Sequence, residues 1–301
     1  MTNAPAAKPL AKPYLATIAL LSVALAWGAA FVVMKPAISE QPFYDFLATR
    51  FTIAALVMIA ARPSVLRQLT PKLWLTGVPL GVILGLAYVT QTLALELTTA
   101  AVTGFLTGLY VVLTPLLAWL FLRTKVTLKV AGGVALATAG LALISITDIG
   151  IQPGHVWGIL CAVLYAAHII GLARFSSSFS AYPLTIVQLI AVAAVSWVGA
   201  LLDGYQTPPN DGVWYAVLFT AIFATAIAFF VQTWAQARMD ASRVAIILTS
   251  EVVFTALIAV GIGQEELAVK TALGGALMVA AMLLVEWPNR KKSDPRNNLL
   301  P

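Results

Sequence analysis

The chain is poor in charge, cysteine and histidine. Only 10% of its 301 residues are charged and 60% are hydrophobic, where a soluble domain carries about 25% charged residues. A soluble chain of this length would divide into roughly two domains with polar surfaces, which this composition cannot cover. Mean hydropathy is +0.92. Cys161, the one cysteine, falls inside an apolar run, which excludes a disulfide framework and a cysteine metal site. Two histidines leave no His-rich metal centre. The sequence has no HExxH, no Gly-Ser nucleophile motif and no P-loop. No catalytic residues, no metal and no cofactor are therefore expected, and ATP-driven pumping by this chain is excluded.

What the sequence has instead is apolar runs of about 20 residues, the length of a membrane helix. Ten can be read: Tyr14–Met34, Tyr44–Ala61, Leu73–Ala94, Thr99–Leu122 and Thr127–Thr147, then Gly154–Arg174, Ala181–Leu202, Val213–Trp234, Ser242–Gly263 and Ala268–Trp287. The connections are short and leave no room for a soluble domain. The first run has full span length and nine follow it, so it is expected to be a span and not a removable signal.

The basic residues predict an orientation, because Lys and Arg accumulate in cytoplasmic loops. Alternate connections and both tails hold Lys8, Lys12, Arg62, Arg67, Lys72, Arg123, Lys125, Lys129, Arg174, Arg238, Arg243, Arg290, Lys291, Lys292 and Arg296. The other connections hold only Lys35 and Lys270, and they collect Glu40, Asp45, Glu96, Asp148, Asp203, Asp211, Glu265 and Glu266. Both termini are expected in the cytoplasm of a cell with this chain in its cell membrane, a bacterial inner membrane. The net charge of +6 then reflects topology, and no nucleic-acid partner is expected.

An internal repeat organises the ten runs. A shift of 141 residues aligns Gln91–Leu143 with Gln232–Leu284 without a gap and gives sixteen identities, among them the Gln-Thr pair, Lys129/Lys270 and Gly133/Gly274. A weaker shift of 138 pairs Trp27 with Tyr165 and Arg50 with Gln188. Five spans per half means that the second half enters the membrane with opposite polarity. The expected fold is therefore all-α and polytopic, with ten transmembrane helices in two inverted five-helix repeats, residues 1–148 and 149–301. Secondary transporters often have this architecture, with substrate bound near the midplane.

In this arrangement the chain resembles the drug/metabolite transporter superfamily, and its EamA-type exporters in particular. Trp27-Gly28-Ala29-Ala30-Phe31 is similar to the WGxxF signature of helix one, and Arg50-Phe51 to the RF motif of helix two. The stretch Thr107–Leu117 resembles the TGLYVVxxPLL pattern of helix four. Ser250-Glu251-Val252-Val253-Phe254 resembles TEPVF in helix nine, with Val252 in place of proline. The Gly-Glu that usually ends helix four is replaced by Arg123-Thr124-Lys125. The resemblance implies transport of a small molecule and no enzymatic activity.

Polar side chains in hydrocarbon are costly and usually face a bundle interior or a wet cavity. Thr103, Thr107, Tyr110 and Thr114 recur at spacings of four, three and four, one stripe of a helix. Tyr88, Gln91 and Thr92 cluster in the third run, Thr225, Gln232 and Gln236 share a face of the eighth, and Tyr165 and His168 lie one turn apart in the sixth. With Trp27 they predict a cavity walled by helices one, three, four, six, eight and nine. The competing reading is helix–helix hydrogen bonding, with Thr returning its hydroxyl to a backbone carbonyl.

Trp27, Tyr88, Gln91, Thr107, Tyr110, Tyr165, His168, Gln232 and Glu251 are the candidate substrate residues. Glu251, about 13 Å into its run at 1.5 Å per residue, is the candidate coupling group. It could carry a proton, meet a substrate amine or pair with Arg50. Arg50 is a possible anion contact, unless it snorkels to the interface. His168 is either a cavity group or a hydrogen-bonded filler. Gly77, Gly81, Gly85, Gly104 and Gly108 predict close helix contacts, and Pro79 and Pro115 predict kinks.

The expected function is export of a small metabolite, such as an amino acid or amine, by alternating access and coupled to a proton gradient or to the solute's own gradient. Rival readings are an uncoupled channel or lipid scramblase and, less well supported, an intramembrane enzyme. The expected partners are a small-molecule substrate and membrane lipids, in a monomer or homodimer.

Overall fold

In a membrane a backbone must satisfy its own hydrogen bonds, so apolar runs of this length become helices. The computed structural model describes residues 13–97, 100–145, 153–262 and 269–286, and among them there is no β-strand. The helices are α1 (Pro13–Glu40), α2 (Phe43–Ala61), α3 (Pro71–Leu97), α4 (Ala100–Gly108), α5 (Tyr110–Leu122), α6 (Leu128–Ser145) and α7 (Pro153–Phe175). They continue with α8 (Ala181–Asp203), α9 (Asp211–Ala221), α10 (Ala228–Gln236), α11 (Ala241–Leu248), α12 (Glu251–Gly261) and α13 (Val269–Glu286). Among the described residues, seven helical stretches are long and apolar enough to cross a membrane, and three shorter ones, Leu106–Leu122, Leu128–Leu143 and Ala272–Val285, are also apolar. The protein is a multi-pass membrane protein.

Three apolar runs are interrupted. The fourth breaks at Leu109 into α4 and α5, and the ninth breaks at Thr249-Ser250 into α11 and α12. Both breaks are local tightenings: Leu109 N–H donates to Leu106 O, and Ser250 N–H donates to Ile247 O. No proline is needed in the ninth run. The Thr249 hydroxyl donates to the carbonyls of Ala245 (2.9 Å) and Ile246 (2.8 Å), and the Ser250 hydroxyl donates to that of Ile247, bonding that bends helices. The eighth run carries a π-helical segment, Ile222–Ile227, between α9 and α10.

Helix contacts follow the small residues. On α3, a Cβ on Gly77 would press on Val187, one on Gly81 would lie 2.5 Å from the Gln188 carbonyl, and one on Gly85 would meet Val195 at 3.1 Å. All three neighbours are on α8, so the ladder seats that helix. A Cβ on Gly28 would lie 2.9 Å from the Glu251 carbonyl, which brings α1 against the start of α12. The α6–α13 contact is reciprocal. Gly140 approaches the Gly274 carbonyl, and Gly133 approaches Val285 and the Ala281 carbonyl. Gly133 pairs with Gly274 and Gly140 with Ala281 under the 141-residue shift, so one contact is made twice with its partners exchanged.

At one end of the bundle the 204–210 connection is strapped over α1 and α2. Gln206 N–H donates to Asp45 Oδ2 (2.9 Å), Gln41 Nε2 to Gln206 O (2.8 Å) and Asn210 Nδ2 to Glu40 Oε2 (2.6 Å).

Two expectations change. The first run continues as helix through Pro36 to Glu40, so Lys35 lies in α1 and not in a connection, and the helix ends only before Gln41-Pro42. Among the described residues, none lies within 4 Å of where a Cβ on Gly104 would stand, so it seats none of them. Lys8, Lys12, Asp148, Gly263, Glu265, Glu266, Arg290, Lys291, Lys292 and Arg296 lie outside the described residues.

The glycine ladder gives a stability prediction. Gly81→Val forces the backbones of α3 and α8 apart and should destabilise by about 1–3 kcal/mol, the usual cost of overpacking. Thermal unfolding of the purified protein should show a lower Tm. Gly104→Val, at a position that no described residue approaches, should leave Tm nearly unchanged.

Candidate functional site

The nine candidate substrate residues and Arg50 line one cavity: Trp27, Arg50, Tyr88, Gln91, Thr107, Tyr110, Tyr165, His168, Gln232 and Glu251; Thr92, Thr103, Thr114, Thr225 and Gln236, expected on the same faces, do not line it. Its walls come from α1, α2, α3, α4, α5, α7, α10, α11 and α12. The only run that had not been expected there is the second, which contributes Arg50. The space amounts to about 50 Å³, room for a few waters at about 10–15 Å³ each. Small-molecule pockets usually measure about 300–1,000 Å³, so a metabolite enters only if the walls separate.

The helix breaks sit in these walls. Thr107 and Tyr110 flank the break at Leu109, and Leu248 and Glu251 flank the break at Thr249-Ser250. Tyr110 and Glu251 each begin a half-helix, and the 141-residue shift relates them.

Aromatic rings form most of the remaining surface. Trp27 and Phe229 stand 5.5 Å apart between centroids, Tyr88 and Tyr165 5.9 Å, Tyr110 and Tyr165 6.3 Å, and Phe51 backs Tyr88 at 4.9 Å. The Trp27 indole N–H donates to the Ala224 carbonyl at 2.8 Å, inside the π segment. Such segments leave backbone groups outside the regular ladder and frequently occur at functional sites. Tyr165 donates its hydroxyl to Gln91 Oε1 at 3.2 Å, Gln232 Nε2 donates to Gln236 Oε1, and Gln236 Nε2 donates to Ile169 O.

Arg50 does not snorkel. It is 2% exposed, with Nε donating to Thr225 Oγ1 at 2.7 Å, one terminal nitrogen 3.7 Å from Met34 Sδ, and its guanidinium carbon 5.2 Å from the centre of the Tyr88 ring and 5.3 Å from that of Phe51. Thr225 and the two ring faces hold the side chain inward, where aromatic quadrupoles attract a cation. Glu251 is also buried. Among the described residues neither Arg50 nor Glu251 has an ion-pair partner, so the Arg50–Glu251 pair considered from sequence is not formed. Tyr88 lies within electrostatic reach of both charges.

Other expectations resolve individually. His168 Nε2 donates to Gln188 Oε1 at 2.8 Å, so this ring is tied into the bundle as well as facing the cavity. Thr92 returns its hydroxyl to Tyr88 O. Thr103 and Thr114 are buried on the Thr107–Tyr110 stripe but do not line the cavity. The buried oxygens Tyr110 Oη and Gln232 Oε1 have no hydrogen-bond partner among the described residues. Buried polar atoms are rarely left unpaired, so both mark places for a ligand or water to bond.

Sequence reasoning missed Phe229, Ala30, Phe31 and Met34, all of which line the cavity. Helical spacing carried the signal. Phe229 lies between Thr225 and Gln232 on their stripe, and Ala30, Phe31 and Met34 follow Trp27 at three, four and seven residues.

A helical bundle around an internal cavity that holds both a cation and a carboxyl group is the build of a membrane transporter. The EamA-like transporter family matches residues 15–146 and again 152–287, and the chain belongs to that family. An uncharacterized transporter of Archaeoglobus fulgidus is 31% identical over 272 residues, covering 90% of this chain and 85% of the relative. A second uncharacterized transporter of that organism is 26% identical over 285 residues, covering 86% and 93%. The fold is similar to that of a protein in a crystal structure, with a TM-score of 0.79 at 22% identity over 91% of this chain and 96% of the other.

The Arg50 anchor can be tested directly. Thr225→Val removes the hydroxyl that accepts from the guanidinium. It should destabilise the purified protein by about 1.5–3 kcal/mol, the range for hydrogen bonds to charged groups, and Thr225→Ser should restore most of the loss in a Tm measurement.

Proposed function

We propose that the protein is a secondary transporter that exports a small metabolite carrying both a carboxylate and an amine. One observation carries the reading. The cavity presents a permanent cation, Arg50, and a carboxyl group, Glu251, that are not paired with each other or with another charged side chain among the described residues. A zwitterion would supply both missing partners, its carboxylate to Arg50 and its ammonium to Glu251, and the aromatic walls suit an apolar side chain.

Ten spans in two inverted halves, residues 1–148 and 149–301, give such a site two-sided access. The reciprocal Gly140–Gly274 and Gly133–Ala281 approaches and the matched breaks at Leu109 and Ser250 support a pseudo-two-fold arrangement. Alternating access rocks the halves about the cavity, and the small volume of the site fits a carrier better than a wide pore. Both termini lie in the cytoplasm, following the basic loops. Glu251 couples transport to protons: it meets the substrate amine as a carboxylate and returns through the closed site as the neutral acid, since a bare charge in low dielectric is costly.

A resistance screen with toxic amino-acid analogues, comparing overexpressing and deletion strains, identifies substrate and direction. Overexpression should raise resistance if the protein exports. In proteoliposomes with the substrate so found, unlabelled substrate on the far side should accelerate labelled flux, and Glu251→Gln should raise KM and flatten the pH dependence of the flux that remains. A facilitator pore or a scramblase would show no trans-acceleration. An unchanged pH profile in Glu251→Gln would remove Glu251 as the proton carrier.

A further inference from the structure

Two residues of the cavity lining carry a buried oxygen without a hydrogen-bond partner among the described residues, Tyr110 Oη and Gln232 Oε1. They differ in what they require. A phenol hydroxyl serves as donor or acceptor, whereas an amide oxygen only accepts. The amide asks for a donor as long as it cannot turn over, and at Gln232 it cannot. The Ile169 carbonyl accepts from Gln236 Nε2 at 2.9 Å, and a carbonyl can meet only the nitrogen end of that amide. Gln236 therefore presents its Oε1 to Gln232, which answers with Nε2 at 3.1 Å. Two hydrogen bonds that start at a backbone carbonyl thus hold the Gln232 amide with its oxygen bare.

The repeat supplies a contrast. Gln91, equivalent to Gln232 under the 141-residue shift, also lines the cavity, but its Oε1 already accepts from the Tyr165 hydroxyl. One glutamine of the duplicated pair has its oxygen satisfied and the other does not. A bare amide oxygen in the interior is destabilising, and an entering donor removes that cost.

The depth of Gln232 decides which part of a substrate it meets. Arg50 Nε is bonded to Thr225, and Gln232 lies seven residues further along the same helical run. At 1.5 Å per residue that is about 10 Å along the axis. The anchor of the cation and the acceptor share this run, so the interval does not depend on how far the walls separate. An α-amino acid carries its carboxylate and ammonium on one carbon, a much shorter interval. With the carboxylate at Arg50, Gln232 falls opposite the far end of the side chain.

We propose that the cavity selects zwitterions whose side chain ends in an N–H or O–H donor, with Gln232 Oε1 as the acceptor that sets specificity and Gln236 as the positioning residue that holds its polarity. The inference rests on the zwitterion reading and narrows it: the aromatic walls take the apolar body of the side chain, and the donor sits at its tip. An apolar tip leaves the oxygen unpaired, and a site built to bond a substrate donor rejects the analogue that lacks one.

The test reads affinity from the concentration dependence of Tm, using the purified full chain and two matched pairs of probes, tyrosine with phenylalanine and lysine with norleucine. The donor-tipped member of at least one pair should bind about ten- to a hundredfold more tightly than its mate. Gln232→Met should abolish that preference by weakening the donor-tipped member while its mate keeps its affinity. Should that variant fail to fold, Gln236→Leu serves instead: it frees the Gln232 amide to turn over and should shrink the preference in the same one-sided way. Equal affinities within both pairs, or a preference that survives the variant, overturn the inference. The methyl ester of the tighter probe separates this failure from that of the zwitterion reading. An ester that binds as well as its parent removes the carboxylate contact, and an absence of binding by all four probes removes both readings.

Discussion

Arg50 brings into the bundle a charge that cannot be discharged, because a guanidinium keeps its proton in any protein environment. Burying it without a carboxylate is among the most expensive things a membrane helix can do, and much of the cavity's construction follows from that cost. The Thr225 hydroxyl, the Met34 sulfur and the faces of Tyr88 and Phe51 surround the group. Thr225 belongs to the π segment, and the neighbouring Ala224 carbonyl accepts the Trp27 indole proton. A single irregular turn thus holds both the cation and the largest aromatic wall.

The repeat explains why the cavity is polar at matched positions, and its divergence explains why the cavity is polarised. Gln91 and Gln232 are kept in both halves and both line the space. Tyr110 and Glu251 occupy equivalent positions after equivalent helix breaks, but only one carries charge. Arg50 corresponds to Gln188, which instead bonds His168. Duplication sets the geometry, and loss of identity at these two pairs leaves one cation and one carboxyl group in a shared space.

Much of this was legible in the sequence, for a physical reason. Hydrocarbon admits so few polar side chains that each one inside a span is informative: the nine candidate substrate residues and Arg50 line the cavity, while Thr92, Thr103, Thr114, Thr225 and Gln236 do not. Less legible was what depends on packing partners. The inward hold on Arg50 needs Thr225, which lies 175 residues away. The break in the ninth run arises from the hydroxyls of Thr249 and Ser250, where a search for proline finds only Val252. The role of Phe229 was hidden because an apolar residue on a helical face looks the same toward lipid as toward a cavity. That no described residue approaches Gly104 was hidden likewise, since spacing alone cannot tell a seated glycine from an idle one.

The central claim is that Arg50 and Glu251 recognise the two ends of one zwitterion. The most direct measurement is competition against a labelled amino-acid substrate in proteoliposomes, using its methyl ester, which lacks the carboxylate, and its N-acetyl derivative, which lacks the amine. Neither derivative should compete appreciably with wild type, and Arg50→Met should lose its preference for the parent over the ester. If both derivatives compete as well as the parent, the cavity does not read the two charges and the account is wrong.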